Sequence, residues 1–379
     1  MQQQRKIKVL QAIRQGQVGG GETHILNLVG SMDKSVFEPV VLSFTDGQMI
    51  DELNRTHIQN HVIPSNKAFD IKKWKEVRSL LESEEIDIVH VHGTRANSNV
   101  YWAAKALGLP IIYTIHGWSF HDDQSWLVKN VRIFFERWIT SKVNRNISVS
   151  ASNQQTGHKY ISRFQSLVIN NGINLKVFNS QNSFKDIRAE LNIPQDKCVI
   201  GSIARMTLQK DPLTLIHAFK SVLEKNDNVM LLMVGDGELK EEAMQLAADL
   251  GISDSVVFEK FRSDVPDILN AIDIFCLPSL WEGLPIGLLE AMAMSKAVIA
   301  SDVDGSKEIV QNKVNGVLIS PQQTESLAKA ISALAGDKNI RRQYGEAARQ
   351  TVAENFDIEK MTKQIENVYL DMLKSKLRA

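Results

Sequence analysis

The sequence predicts an α/β fold built twice over, and three observations carry that expectation. A chain of 379 residues exceeds one average domain and is long enough for two cores. Short apolar runs alternate with helical patterns of ten or so residues in both halves. A polar run at 179–185 separates the halves. Such alternation gives a parallel, doubly wound sheet whose ligands gather at the carboxyl ends of the strands. The expected division is a first domain over 1–178, completed by a terminal helix at 356–379, and a second over 179–355.

Composition narrows the class. With 43% hydrophobic and 23% charged residues the chain reads as an ordinary globular protein. Lys+Arg and Asp+Glu both total 44, so no net positive charge argues for a nucleic-acid partner. Cys198 and Cys276 lie in separate apolar runs and read as buried thiols in a reducing compartment. The first residues are basic but lead into a short strand-like run. No stretch approaches the ~20 apolar residues that cross a bilayer. The expectation is a cytoplasmic protein whose contact with the inner membrane surface, if made, is peripheral.

In the first half, strands are expected at 7–13, 36–44, 86–91, 111–115 and 146–150, with helices at 22–32, 71–84 and 96–107. The loop after the first strand carries Gly16, Gly19, Gly20, Gly21 and then Glu22, a composition that permits close backbone approach to a ligand. A dinucleotide site is disfavoured. G-x-G-x-x-G is absent, and the second strand ends in Leu42-Ser43-Phe44 with no acidic residue for a ribose. His90 and His92 face the same way off a strand, half of a metal site, but no further His or Cys of suitable spacing joins them. Arg95 and Asn97 follow. His116 ends a buried strand before Gly117 and so projects into a crevice; a structural, hydrogen-bonded histidine is the competing reading. Asp122-Asp123 is not a D-x-D motif.

The segment 125–142 spaces Trp126, Leu127, Val131, Phe134, Phe135, Trp138 and Ile139 at helical intervals, with Lys129, Arg132, Arg137 and Lys142 between them. A helix packed on the sheet explains the pattern best. A basic amphipathic helix lying on anionic lipid is the alternative.

The second half restarts at the strand 199–203. Arg205 and Lys210 sit in the following loop, where two fixed cations suit a diphosphate; a solvated basic loop explains them equally. The strand 229–234 ends in Gly235-Asp236-Gly237-Glu238, and 256–261 reads as another strand. Asp302-Val303-Asp304 is read as a polar turn. Helices are expected at 327–334, 340–355 and 358–373.

One stretch ties these loops together: 278–292, reading PSLWEGLPIGLLEAM. It is strand end, turn and helix start. Pro285 suits a first helical turn, while Gly283 and Gly287 allow close approach. The free N–H groups of that start, across Gly283, Leu284, Pro285, Ile286 and Gly287, form a seat for phosphate or sugar hydroxyls. Glu282 and Glu290 bracket it as candidate hydroxyl acceptors; a solvated carboxylate favoured by the helix dipole is the competing reading.

This S-x-x-E-G-x-P-x-G element, with its second Glu, resembles the signature of the retaining glycosyltransferases of family 4. The resemblance extends over nearly the whole chain. It implies a GT-B fold, two Rossmann-like doubly wound domains facing each other across a cleft, and transfer of a sugar from a nucleoside-diphosphate donor to a carbohydrate or lipid-linked acceptor. It also implies roles. Gly19, Gly20 and Glu22 match a G-G-x-E element over the donor phosphates and the acceptor entry, and Arg95 and Asn97 fall near the acceptor. His116 contacts the donor sugar, while Arg205 and Lys210 hold the leaving diphosphate. Gly235 and Asp236 lie beside the nucleoside, and Phe261 belongs to the segment whose main chain pairs with the base. Glu282 holds sugar hydroxyls and Glu290 the ribose. The resemblance implies no bound metal or other cofactor and no protein nucleophile. Two departures stand out: Asp211 and Lys260 occupy places where a Gly is usual. A nucleotide-sugar hydrolase or epimerase and a non-catalytic binding subunit are the alternatives.

Overall fold

A computed structural model describes residues 5–17, 19–121 and 124–377. Val18 of the first glycine-rich loop, the Asp122-Asp123 pair and the first four residues lie outside the described residues. The chain divides into two compact units, residues 1–172 with 358–379, and residues 173–357.

In the first unit the apolar runs become strands and the intervening amphipathic patterns become helices. The order is β1 (Ile7–Ile13), α1 (Gly20–Ser31), β2 (Phe37–Ser43), α2 (Gln48–Arg55), β3 (Gln59–Val62), α3 (Ile71–Ser83), β4 (Ile88–His92), α4 (Thr94–Ala106), β5 (Ile111–Ile115), α5 (Trp126–Lys142), β6 (Arg145–Ser148), α6 (Ala151–Tyr160) and β7 (Leu167–Val168). The sheet order is β3-β2-β1-β4-β5-β6-β7, with every pairing parallel. Connections run outward from β1 on one side and from β4 on the other, so the order reverses between β1 and β4. That reversal opens the loops after these two strands into one crevice.

The second unit comprises α7 (Ile187–Glu190), β8 (Cys198–Ile203), α8 (Pro212–Leu223), β9 (Val229–Val234), α9 (Lys240–Asp249), β10 (Val256–Glu259), α10 (Val265–Ala271), β11 (Ile274–Leu277), α11 (Ile286–Ala293), β12 (Ala297–Ser301), α12 (Asp304–Ile309), β13 (Val317–Ile319), α13 (Thr324–Gly336) and α14 (Lys338–Asn355). Its parallel sheet runs β10-β9-β8-β11-β12-β13 and reverses between β8 and β11. Both cysteines are buried free thiols, and burial raises both pKa values.

The last helix, α15 (Ile358–Leu377), returns to the first unit. Ile358, Met361, Ile365, Val368, Tyr369 and Met372 recur at helical spacing and pack with Val9, Leu28, Phe37 and Ile112. Tyr369 is fully buried, and its hydroxyl accepts a hydrogen bond from Gln11 Nε2 at 2.9 Å.

α5 departs from the expected packing. Its inner side is held by Glu136, whose carboxylate accepts from Thr94 Oγ1 at 2.6 Å and Tyr113 OH at 3.2 Å, and by buried Ile139. These anchors lie in its C-terminal half. Trp126, Leu127 and Phe134 stand out at 77%, 65% and 64% exposure, although the spacing of apolar residues had placed them against the sheet.

Candidate active site

The second unit assembles its chemistry at the β8/β11 reversal. The loop leaving β8 carries Arg205 and Lys210, and the loop leaving β11 carries Ser279 and Glu282. Two hydrogen bonds stitch the loops together: Leu280 N donates to Gln209 O at 2.8 Å, and Gln209 Nε2 to Trp281 O at 2.8 Å. Lys210 Nζ thereby meets Glu282 Oε1 in an ion pair, and Ser279 Oγ donates to the same oxygen at 2.6 Å. Arg205 is exposed, and among the described residues its guanidinium has no ion-pair partner. Arg205, Lys210 and Pro278 line one small cavity with Ser202 and Met233. A paired cation and an unpaired one therefore share a concave surface.

Asp211 explains itself in the backbone. Its φ is +47°, the left-handed region where a Cβ is unwelcome and Asp is among the few tolerated residues. It also caps α8, its side chain accepting from Thr214 N at 3.3 Å ahead of Pro212. The usual glycine gives freedom at this point; the aspartate gives a cap.

Gly235 also needs its identity. It has φ +145°, and a Cβ there would strike the carbonyl of Ala204, so the loop after β9 lies directly on the Arg205 loop. Asp236 accepts from Lys240 Nζ at 2.8 Å and from Phe261 N at 2.9 Å, and the Lys240 bond leads the effects holding its pKa below the ordinary value. The Phe261 N–H is thus already engaged by this chain's own carboxylate, and a base edge reading the segment would have to use other main-chain groups or displace it.

α11 begins where expected, with Pro285 as its cap residue and Ile286 as its first helical residue. A Cβ on Gly287 would lie 3.4 Å from Ile203 O, so glycine lets the helix start sit against the end of β8. Leu284, Pro285 and Ile286 are buried beneath this turn, and Gly283 is half-buried. Glu290 is buried in α11, and desolvation raises its pKa to about 8. Among the described residues no side chain is hydrogen-bonded to it. A buried carboxyl without a partner is costly unless a ligand supplies one. Asp304 opens α12, and among the described residues neither Asp302 nor Asp304 joins a cluster of three metal-ligating side chains.

The first unit builds a second cluster at the β1/β4 reversal. Gly19 precedes α1, Gly20 is exposed, and Glu22 is buried in the first turn with its carboxylate turned back beside Gly19. Arg95 is half-buried in the first turn of α4. Asn97 is 1% exposed, with neither amide atom hydrogen-bonded. His116 is half-buried, and its Nε2 lies 2.9 Å from His92 Nδ1. His92 Nε2 lies 2.8 Å from Gln11 Oε1. His90 bridges Tyr369 OH at 2.7 Å and Thr114 Oγ1 at 2.7 Å.

Desolvation, reinforced by neighbouring imidazoles, holds His90, His92 and His116 well below the ordinary histidine pKa, so all three are neutral at pH 7. The reading that nothing joins the His90/His92 pair is overturned. Sheet order brings His116 to His92, and α1 brings His24, whose ring centroid lies 4.8 Å from that of His116. Gln11, His24 and Tyr369 were not among the expected site residues, and Ser279 stood in the S-x-x-E-G-x-P-x-G element without a role of its own. Of the first three His24 carried a signal, since Gly21, His24, Ile25 and Leu28 trace the inner face of α1.

Comparison with known proteins agrees with this architecture. Residues 183–351 match the family described as Glycosyl transferases group 1, and residues 18–177 match Glycosyltransferase Family 4. The chain is 30% identical over 315 residues to the Escherichia coli UDP-Gal:alpha-D-GlcNAc-diphosphoundecaprenol alpha-1,3-galactosyltransferase, covering 81% of each chain. It is 27% identical to the Bacillus anthracis N-acetyl-alpha-D-glucosaminyl L-malate synthase, over 81% of this chain and 80% of that one. The crystal structure of Anabaena Alr3699/HepE in complex with UDP and glucose superposes with a TM-score of 0.84 at 22% identity, over 96% of this chain and all of the other. Matches on both sides of the chain's division, and a relative of this similarity along most of its length, place the chain in glycosyltransferase family 4, as a GT-B enzyme acting on nucleotide sugars.

Proposed function

We propose that the chain is a retaining, metal-independent transferase that moves a hexose-type sugar from a UDP-sugar to an acceptor hydroxyl in cell-surface polysaccharide or glycolipid synthesis. The observation that carries the proposal is the cation pair at the β8/β11 reversal: Lys210 held by Glu282, and Arg205 exposed on the same small cavity. Departure of a nucleoside diphosphate leaves negative charge on the β-phosphate, so fixed cations placed beforehand lower the barrier. Arg205, Lys210 and the start of α11 take that charge. Glu290, buried and without a side-chain partner among the described residues, takes ribose hydroxyls, and Glu282 those of the sugar. His116 is assigned the donor sugar by family resemblance. Its Nε2 faces His92, which leaves Nδ1 for a hydroxyl. Uridine as the base, and a lipid-linked acceptor, are supported by the name of the Escherichia coli relative.

Peripheral membrane contact belongs to the same proposal. Between residues 125 and 166 stand seven Lys and Arg (129, 132, 137, 142, 145, 159 and 163) against one acid, Glu136, which is buried. With Trp126, Leu127 and Phe134 exposed, this surface suits anionic lipid. No helix among the described residues is long and apolar enough to cross a membrane.

A thermal-shift screen of UDP-, GDP- and ADP-sugars tests the donor, because a ligand bound only by the native state raises the melting temperature. Stabilisation by UDP-sugars alone is expected, with UDP release that depends on acceptor. Donor consumption at full rate without acceptor would instead indicate a hydrolase or epimerase.

A further inference from the structure

We infer that His24, His92 and His116 form a binding site for a zinc-class transition-metal dication, and that a metal there shuts off His116. One ring nitrogen from each residue lies within 4.8 Å of the others. His92 Nδ1 and His116 Nε2 are already 2.9 Å apart. Tetrahedral zinc with bonds of about 2.0–2.1 Å sets nitrogens about 3.3 Å from one another, so the separations need to change by up to about 1.5 Å.

Two independent features point to a ligand. His24 is 2% exposed, and among the described residues its Nε2 has no hydrogen-bond partner, an anomaly for a buried nitrogen. Moreover, the outer nitrogens of His24 and His92 are held as metal-ligating imidazoles usually are, by an oxygen acceptor that fixes the tautomer and ring orientation. His24 Nδ1 lies 3.0 Å from Asn171 Oδ1, which leaves the Nε2 lone pair bare. His92 Nε2 lies 2.8 Å from Gln11 Oε1, which leaves Nδ1 as the acceptor facing His116.

Coordination then needs one chemical change. His116, which donates from Nε2 to His92 in the metal-free protein, carries its single proton on Nδ1 instead and gives the Nε2 lone pair to the metal. Three protein ligands leave a fourth position for water. The metal is not part of turnover. By moving the His116 proton onto the nitrogen that would accept a sugar hydroxyl, it opposes the donor contact. This inhibitory half rests on the proposed role of His116; the binding half does not.

The test uses tag-free, full-length, chelator-stripped protein. Co2+ reports coordination through its visible absorption, and Zn2+ affinity is measured by competition with a chromogenic chelator. One equivalent of Co2+ with a four-coordinate spectrum is expected. His24→Gln and, separately, Asn171→Leu should each weaken Zn2+ binding by tenfold or more while the far-ultraviolet circular dichroism stays native. Zn2+ should suppress transfer by the wild type and EDTA should restore it, whereas His24→Gln, relative to its own metal-free rate, should change less than twofold. Absence of saturable one-to-one binding, or equal affinity in the wild type and both variants, overturns the site. Stoichiometric binding with an unchanged transfer rate overturns the inhibitory role, while the assignment of His116 to the sugar stands or falls with the transfer rate of His116→Ala.

Discussion

Lys210→Met removes a charge at nearly constant volume and separates two roles that the ion pair with Glu282 combines. The side chains are 19% and 6% exposed, so the variant strands a buried carboxylate. Breaking such a pair from one side typically costs about 3–5 kcal/mol. Here Ser279 Oγ still donates to Glu282, so about 2–3 kcal/mol is expected. For a unit of this size that corresponds to a fall of roughly 5–10 °C in melting temperature. The double variant Lys210→Met/Glu282→Gln removes the stranded charge and should recover most of that loss. Turnover should behave differently. Lys210→Met alone should lower kcat by about 10² to 10³-fold, the scale of losing one charge-stabilising group, and the double variant should recover none of it. The assays are thermal melts and initial rates of UDP release. Recovery of kcat together with stability would show that Lys210 serves the fold alone, and a raised KM at constant kcat would reduce its role to uniform binding.

Other outcomes follow from the same geometry. Glu290 has a pKa near 8 in the folded protein, well above its ordinary value, so its contribution to stability is complete below about pH 4.5 and is lost as pH rises through 8. Unliganded Glu290→Gln should therefore gain on the wild type in urea melts between pH 5 and 8, by at most about 1.4 kcal/mol per pH unit, and a flat difference would contradict the burial argument. Glu290→Ala should weaken UDP binding in calorimetry; unchanged affinity rejects the ribose assignment. Asp211→Ala loses the cap and keeps the left-handed backbone, so about 1–2 kcal/mol of destabilisation is expected, whereas Asp211→Gly should cost less. Reversal of that order in denaturant titrations would refute the reading of this position. Trp126→Ser/Phe134→Ser should abolish flotation with anionic vesicles without lowering the melting temperature, and undiminished flotation would remove α5 from the contact.

Much of this molecule was legible before its structure, and the exceptions have physical reasons. The inner strands β1, β4, β5, β8, β9 and β11 are buried on both faces and read as apolar runs. β3, sequence QNHV, lies at a sheet edge with no fully buried residue, so its sequence carries neither alternation nor an apolar run. α9 buries only Ala243 and Ala247, too little for a hydrophobic stripe. The loops proposed to hold the donor were legible because the residues of 278–292 are contiguous. The imidazole cluster was not. His24, His92 and His116 are 68 and 24 residues apart and meet only because β4 pairs with both β1 and β5. α5 misled for the opposite reason: helical spacing of apolar residues reports amphipathicity, not which surface covers it.

The most direct test of the central claim, that donor phosphates are held by the second unit while His116 acts on the sugar, is to measure UDP affinity and sugar transfer in parallel for Arg205→Ala and His116→Ala. Arg205→Ala is expected to lose both, whereas His116→Ala should bind UDP within twofold of the wild type and transfer sugar at least about 10²-fold more slowly. Wild-type transfer by His116→Ala, or wild-type UDP affinity in Arg205→Ala, would contradict that claim.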